Sequence, residues 1–113
     1  MNSSSGWCML LTLALGLGAC SEDSRPSPKT GDAADPSRGR QVYIGLCITC
    51  HNSDPSKAGP MGPPVKGASR ELLEARLLRG NYPPGYTPKR STAIMPPQPE
   101  LEPSIPDLAA FLK

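Results

Sequence analysis

Twelve of the 15 prolines in this 113-residue chain fall between Pro55 and Pro106. Proline fixes φ and removes a backbone donor, so such a stretch is poorly suited to ladders or long helices. It reads as loop, with short helices where proline is absent, and no convincing strand is visible. Where its φ is compatible, proline also lowers the entropy of the unfolded chain, which helps a loop hold its shape. The chain is long enough for one small domain and not for two. Only 4% of its residues are aromatic. A chain of this size and composition buries little apolar surface and is marginal without a staple. A disulfide, a metal or a cofactor would serve, and the four cysteines, Cys8, Cys20, Cys47 and Cys50, are where to look. The net charge of +2 argues neither for nucleic acid nor for a strongly acidic partner.

The first two cysteines read as addresses. An apolar run from Met9 to Ala19 is too short to cross a bilayer as a helix. Followed by small residues, it reads as an export signal. Leu17-Gly18-Ala19-Cys20 resembles the bacterial lipoprotein cleavage box, which implies cleavage before Cys20 and lipid attachment to it. Several acyl chains on one residue anchor a protein stably. No Lys or Arg precedes the apolar run, a departure from that pattern. Residues 1–19 are then a signal peptide that takes Cys8 with it. Residues 20–36 hold no aromatic residue, Leu, Ile, Val or Met, and read as a flexible tether from the lipidated Cys20. Residues 37–113 form the folded domain, in which ten cations face six carboxylates for a net +4. The expected location is extracytoplasmic, on the periplasmic side, with Ser21 favouring the outer membrane if the cell has two.

Cys47 and Cys50 are the only thiols left to the domain, and His51, the only histidine in the chain, follows directly. C-x-x-C-H is the attachment pattern for c-type haem. On a helical turn, residues three apart share a face. Two thiols there can each form a thioether with a haem vinyl group, and the next imidazole can ligate iron. A structural zinc site needs four ligands, and no further His or Cys remains in the domain. A thioredoxin-like redox pair calls for a β-α-β context that is not apparent.

Three segments read as helices. Ser37 is placed to cap a helix running to about Leu46, with Gly39, Val42, Tyr43 and Leu46 on one face. Ser69 is placed to cap the run from Arg70, and Gly80 sits at its natural stop. Leu73 and Leu77 share a face there, widened by Leu72, Ala75 and Leu78. Ser104 to Asp107 fits an S-x-x-D capping box opening a helix through Leu112, with Ile105, Leu108, Ala109 and Leu112 as its buried stripe and Phe111 alongside.

With these features together, residues 38 to 113 resemble the small monohaem bacterial cytochromes c with Met/His ligation. "GRQVYIGLCITCH" is similar to the family's N-terminal helix, with Gly39 and Tyr43 where it crosses the C-terminal helix. "GPPVKG", residues 62 to 67, is similar to its loop after the haem motif, and "AIMPP", residues 93 to 97, to its distal methionine loop. The resemblance implies an all-α fold, three or more short helices and Pro-rich loops wrapped around one covalently attached haem c. It implies covalent attachment at Cys47 and Cys50, iron ligation by His51, and a hydrogen bond from the second His51 ring nitrogen to the Pro63 carbonyl. Met61 and Met95 are the candidates for the sixth ligand. Met61 is close behind His51 on the proximal side and reads as a core gap-filler. Met95, stiffened by Pro96 and Pro97, has chain enough to reach the distal face. Val65, Leu73 and Leu77 would pack on the haem, and Tyr82 or Tyr86 would meet a propionate. His/Met ligation leaves no vacant site and argues for electron transfer without enzymatic turnover. The expected partners are redox proteins and, through lipid on Cys20, a membrane, with no nucleic acid and no small-molecule substrate. Lys66, Lys89 and Arg90 read as a solvated charged surface, with a docking rim as the other reading. The alternative function is a haem sensor or ligand-binding module with a displaceable or absent distal ligand. A lipoprotein without haem, carrying a Cys47–Cys50 disulfide, is the third.

Overall fold

The computed structural model describes residues 33–92 and 94–113. The expected signal peptide, lipidated Cys20 and most of the tether lie outside the described residues, as does Ala93. Among the described residues there are three α-helices and no strand: α1 (Pro36–Leu46), α2 (Arg70–Arg79) and α3 (Ile105–Leu112). A 3-10 turn, Pro99–Ser104, leads into α3 and was not legible in the sequence. No helix among the described residues is long and apolar enough to cross a membrane.

α1 begins two residues earlier than a Ser37 cap implies, and its cap is Asp35 in place of Ser37. The Asp35 carboxylate accepts the Ser37 N–H at 2.7 Å. Pro36 takes the first helical position, where a missing N–H costs nothing and the fixed φ suits the helix. The stretch assigned to the tether therefore contributes its last two residues to the folded unit. α2 follows its sequence signals. The Ser69 hydroxyl accepts the Leu72 N–H at 3.2 Å. Gly80 closes the helix at φ 68°, a left-handed conformation that costs glycine nothing. Its N–H bonds the Arg76 carbonyl and the Asn81 N–H bonds that of Ala75, the paired bonds that satisfy the last carbonyls of a helix.

The expected capping box at α3 does not form. Ser104 already has helical dihedrals, because the chain arrives wound from the 3-10 turn, and its side chain makes no capping bond. The Asp107 carboxylate is engaged elsewhere. It accepts the Asp35 N–H at 2.7 Å and holds the Arg38 guanidinium through two oxygens at 2.8 and 3.0 Å. That charge-assisted fork joins α3 to α1.

The two helices cross at Gly39. A Cβ there would stand 2.1 Å from the Asp107 carbonyl oxygen, so only glycine allows this approach. Around the crossing lies the core of Tyr43, Leu77, Leu101, Ile105, Leu108 and Leu112. Tyr43 sends its hydroxyl to the Asn52 carbonyl at 2.6 Å and packs its ring against Phe111, centroids 5.4 Å apart. The α1 face expected to be buried splits: Gly39 and Tyr43 are covered, Val42 is half-buried, and Leu46 is 54% exposed. The loop from Asn52 to Ala68 folds back on the end of α1. The Cys50 carbonyl accepts the N–H groups of Met61 and Gly62, the Pro55 carbonyl those of Val65 and Lys66, and the Leu112 carbonyl that of Gly67.

Candidate functional site

After α1 the chain makes one further helix-like turn. The Cys47 carbonyl accepts from Cys50 N at 3.2 Å and from His51 N at 2.9 Å. That turn carries Cys47, Cys50 and His51 along the wall of one cavity of about 490 Å³. The volume falls within the roughly 300–1,000 Å³ of small-molecule and cofactor sites. Both thiols are free.

The imidazole is held on two sides. Its Nδ1 lies 2.9 Å from the Pro63 carbonyl oxygen. A carbonyl only accepts, so Nδ1 carries a proton, and in the neutral ring Nε2 keeps a lone pair for a ligand. The ring also rests on Gly62, where a Cβ would come within 2.4 Å of Cε1 and 2.5 Å of Nδ1. Gly59 packs as closely on the Cys50 carbonyl, which brings the loop up behind the motif.

Burial, and after it the neighbouring Cys50, pushes the Cys47 thiol up to about 11. At neutral pH it is protonated. Thiols that exchange disulfides or bind metal as thiolates sit in surroundings that lower this value. Among the described residues no three His, Cys, Asp or Glu side chains form a group that could hold a metal ion.

Every expected site residue among the described ones lines this cavity: Cys47, Cys50, His51, Pro63, Val65, Leu73, Leu77, Tyr82, Tyr86 and Met95. α2 supplies Leu73 and Leu77, the Pro-rich loop after it supplies the tyrosines, and the segment before the 3-10 turn supplies Met95. Tyr82 and Tyr86 stack face to face, centroids 5.3 Å apart and planes 9° apart. The methionines differ. Met95 is half-buried and packs against the core. Met61 is 49% exposed and is no core gap-filler; its sulfur lies 3.9 Å from the Cys50 sulfur at the cavity wall. The Met61 and Gly62 N–H groups that donate to the Cys50 carbonyl hold the Met61 side chain at the exposed rim of the cavity.

Two features of the site were missed in the sequence. Arg76 lines the cavity at only 9% exposure. Its place in the apolar stripe, three residues after Leu73 and four after Leu72, was the available signal. Lys89 and Arg90 are not simply solvated. Lys89 Nζ donates to the Pro64 carbonyl at 2.8 Å, and Arg90 Nη1 donates to that of Met61 at 2.8 Å. Together they strap the loop after α2 to the loop after the motif. Lys66 remains exposed. No protein-family model matches the chain, and no curated protein matches it.

Proposed function

We propose that the cavity receives one covalently attached c-type haem, and that the chain is an extracytoplasmic electron carrier, or the haem module of a larger respiratory or dehydrogenase assembly, with the fold of a small monohaem cytochrome c. The observation that carries this reading is convergence. Two thiols three residues apart, an imidazole with Nε2 available, and a thioether from a distant segment line one largely apolar cavity. The donor set fits the group. Cys47 and Cys50 would hold the macrocycle, and His51 Nε2 and Met95 Sδ would take the iron. When bound, the group supplies a one-electron ferric/ferrous couple.

The chain's own residues define the rest. The Pro63 carbonyl fixes the His51 tautomer and ring orientation and makes the imidazole a better donor. Met95 would be a soft ligand that favours the reduced metal, and the apolar walls of Val65, Leu73 and Leu77 would lower the local polarity, which disfavours the more charged oxidised form. Both effects raise the potential. Leu46, Met61 and Ile94, 54%, 49% and 58% exposed, line the same cavity and offer an apolar rim to a redox partner. A lipid on Cys20 would tether the carrier to its membrane.

The test is expression in a bacterium equipped for haem attachment. A chromophore that stays with the chain after denaturation, and a weak far-red charge-transfer band in the ferric protein, are the expected results. A chain with no covalent chromophore and a Cys47–Cys50 disulfide sinks the reading. Met95→Ala should abolish the band, lower the potential and let the ferrous protein bind carbon monoxide, whereas Met61→Ala should do none of these. Ready carbon monoxide binding by the unaltered protein would favour a sensor.

A further inference from the structure

Arg76 is the least expected side chain at the cavity. It sits in the last turn of α2 at 9% exposure, and among the described residues no carboxylate forms a salt bridge with it. A buried cation without a counter-charge is costly unless other groups satisfy it. Here they are dipoles and a ring. Nη1 donates to the Gly80 carbonyl at the end of α2, where the helix dipole favours a cation. Nη2 donates to the Met95 carbonyl at 3.2 Å. The Tyr82 ring lies under the guanidinium, 4.6 Å from carbon to centroid, and is backed by Tyr86.

These contacts join two separate parts of the chain. The Met95 segment is fastened to α2 at two further points. The Gln98 N–H donates to the Leu77 carbonyl at 2.6 Å, and the Pro97 ring lies against Gly80, where a Cβ would meet it at 2.9 Å. Both lie downstream of Met95. The Arg76 bond holds Met95 itself.

We propose that Arg76 is a positioning residue for the Met95 thioether: its guanidinium clasps the Met95 carbonyl to the end of α2 and so sets how firmly the sulfur is presented to the cavity. This rests on the haem reading above. Arg76 acts through the Met95 backbone and is no ligand itself. Hydrogen bonds from charged donors are among the stronger ones in proteins. Without this bond, the Met95 backbone loses its direct tie to the end of α2, and the ties at Pro97 and Gln98 remain, both downstream of it.

The experiment compares holoprotein carrying Arg76→Met, Arg76→Lys and Met95→Ala with the unaltered chain. Methionine keeps an unbranched apolar stem with a helix preference close to that of arginine and removes every donor. In Arg76→Met, covalent haem is retained and the far-red band weakens or disappears at neutral pH. Affinity of the ferric protein for added imidazole rises at least about tenfold, the equivalent of about 1.4 kcal/mol. Arg76→Lys, which keeps the charge and one route to the carbonyl, falls between. An Arg76→Met protein with unchanged band and imidazole affinity overturns the proposal. So does one whose potential moves while both stay fixed, since that is a charge acting through space. If Arg76→Met does not fold, Arg76→Lys alone decides by the same two readouts. Absence of covalent haem from the unaltered chain would defeat the haem reading. Opening of the site by Met95→Ala but not by either Arg76 variant defeats this inference alone.

Discussion

Gly62→Ala tests the least conspicuous part of the site. The added Cβ would stand 2.4 Å from His51 Cε1, 2.5 Å from Nδ1 and 2.9 Å from Cγ, against the 3.4 Å at which ordinary contact begins. The ring must therefore retreat by about 1 Å, which stretches the 2.9 Å contact between Nδ1 and the Pro63 oxygen by as much as about 1 Å and weakens or breaks that hydrogen bond. The lost bond is worth about 0.5–1.5 kcal/mol. Forcing an extra methyl into a packed contact costs about 1–3 kcal/mol. Reduced freedom of the unfolded chain returns about 0.4–1 kcal/mol. At their midpoints these terms net to a loss of about 2 kcal/mol, which for a domain of this size lowers Tm by roughly 8–16 °C. Urea unfolding followed by far-UV circular dichroism measures the loss, and nitrogen chemical shifts of the imidazole report whether Nδ1 keeps its proton. Gly45→Ala is the control, because its Cβ meets nothing within 4 Å and lies inside α1, where alanine gains about 0.5–1 kcal/mol. A Gly62→Ala protein within about 0.5 kcal/mol of the parent and with an unchanged His51 tautomer would refute the argument.

Three further outcomes are expected. Gly39→Ala pushes against the α3 backbone, which must open by about 1.3 Å to bring 2.1 Å to 3.4 Å, so Tm should fall by at least about 10 °C, and an unchanged Tm would mean the helices slide freely. The Arg38 guanidinium holds the Asp107 carboxyl below the usual carboxylate range, so this pair's stabilisation is complete above the unfolded value and is lost as pH falls through the lower folded one. Asp107→Asn should cost about 1–3 kcal/mol at pH 7 and flatten the fall of stability below about pH 4, as read by urea midpoints across pH. In chain produced without haem attachment, iodoacetamide should modify Cys47 slowly at neutral pH and progressively faster as pH rises toward 11, and rapid modification at pH 7 would contradict the burial of that thiol.

What the sequence conveyed was strongest where the signal is local. Ser69 and Gly80 bound α2 because a hydroxyl cap and a left-handed glycine act within one turn. The cavity-lining residues were legible because thiol, imidazole and thioether are few and each has a narrow chemistry. The start of α1 was not, because Asp35 and Ser37 are both good caps. Pro36 and the bond from Asp35 N–H to Asp107 decide between them, and Asp107 is 72 residues away. The same distant partner occupies the carboxylate that the S-x-x-D pattern assigns to a capping box. Arg76 was hidden for a related reason: a cation in an apolar stripe looks like a flaw until the Met95 carbonyl and the Tyr82 ring that satisfy it are brought near.

The clamp between α1 and α3 also sets an order of events. It joins the first helix of the domain to the last, so it is a contact of high sequence separation, and such contacts close slowly because the intervening chain must be gathered first. A chain made from its N-terminus exposes Cys47, Cys50 and His51 well before Ile105 to Leu112 exist. Through that interval neither the crossing at Gly39 nor the Leu112 carbonyl that fastens Gly67 is available to draw the walls together. Closure is therefore a late step, and the thiols stand open to modification until the final turn of helix docks.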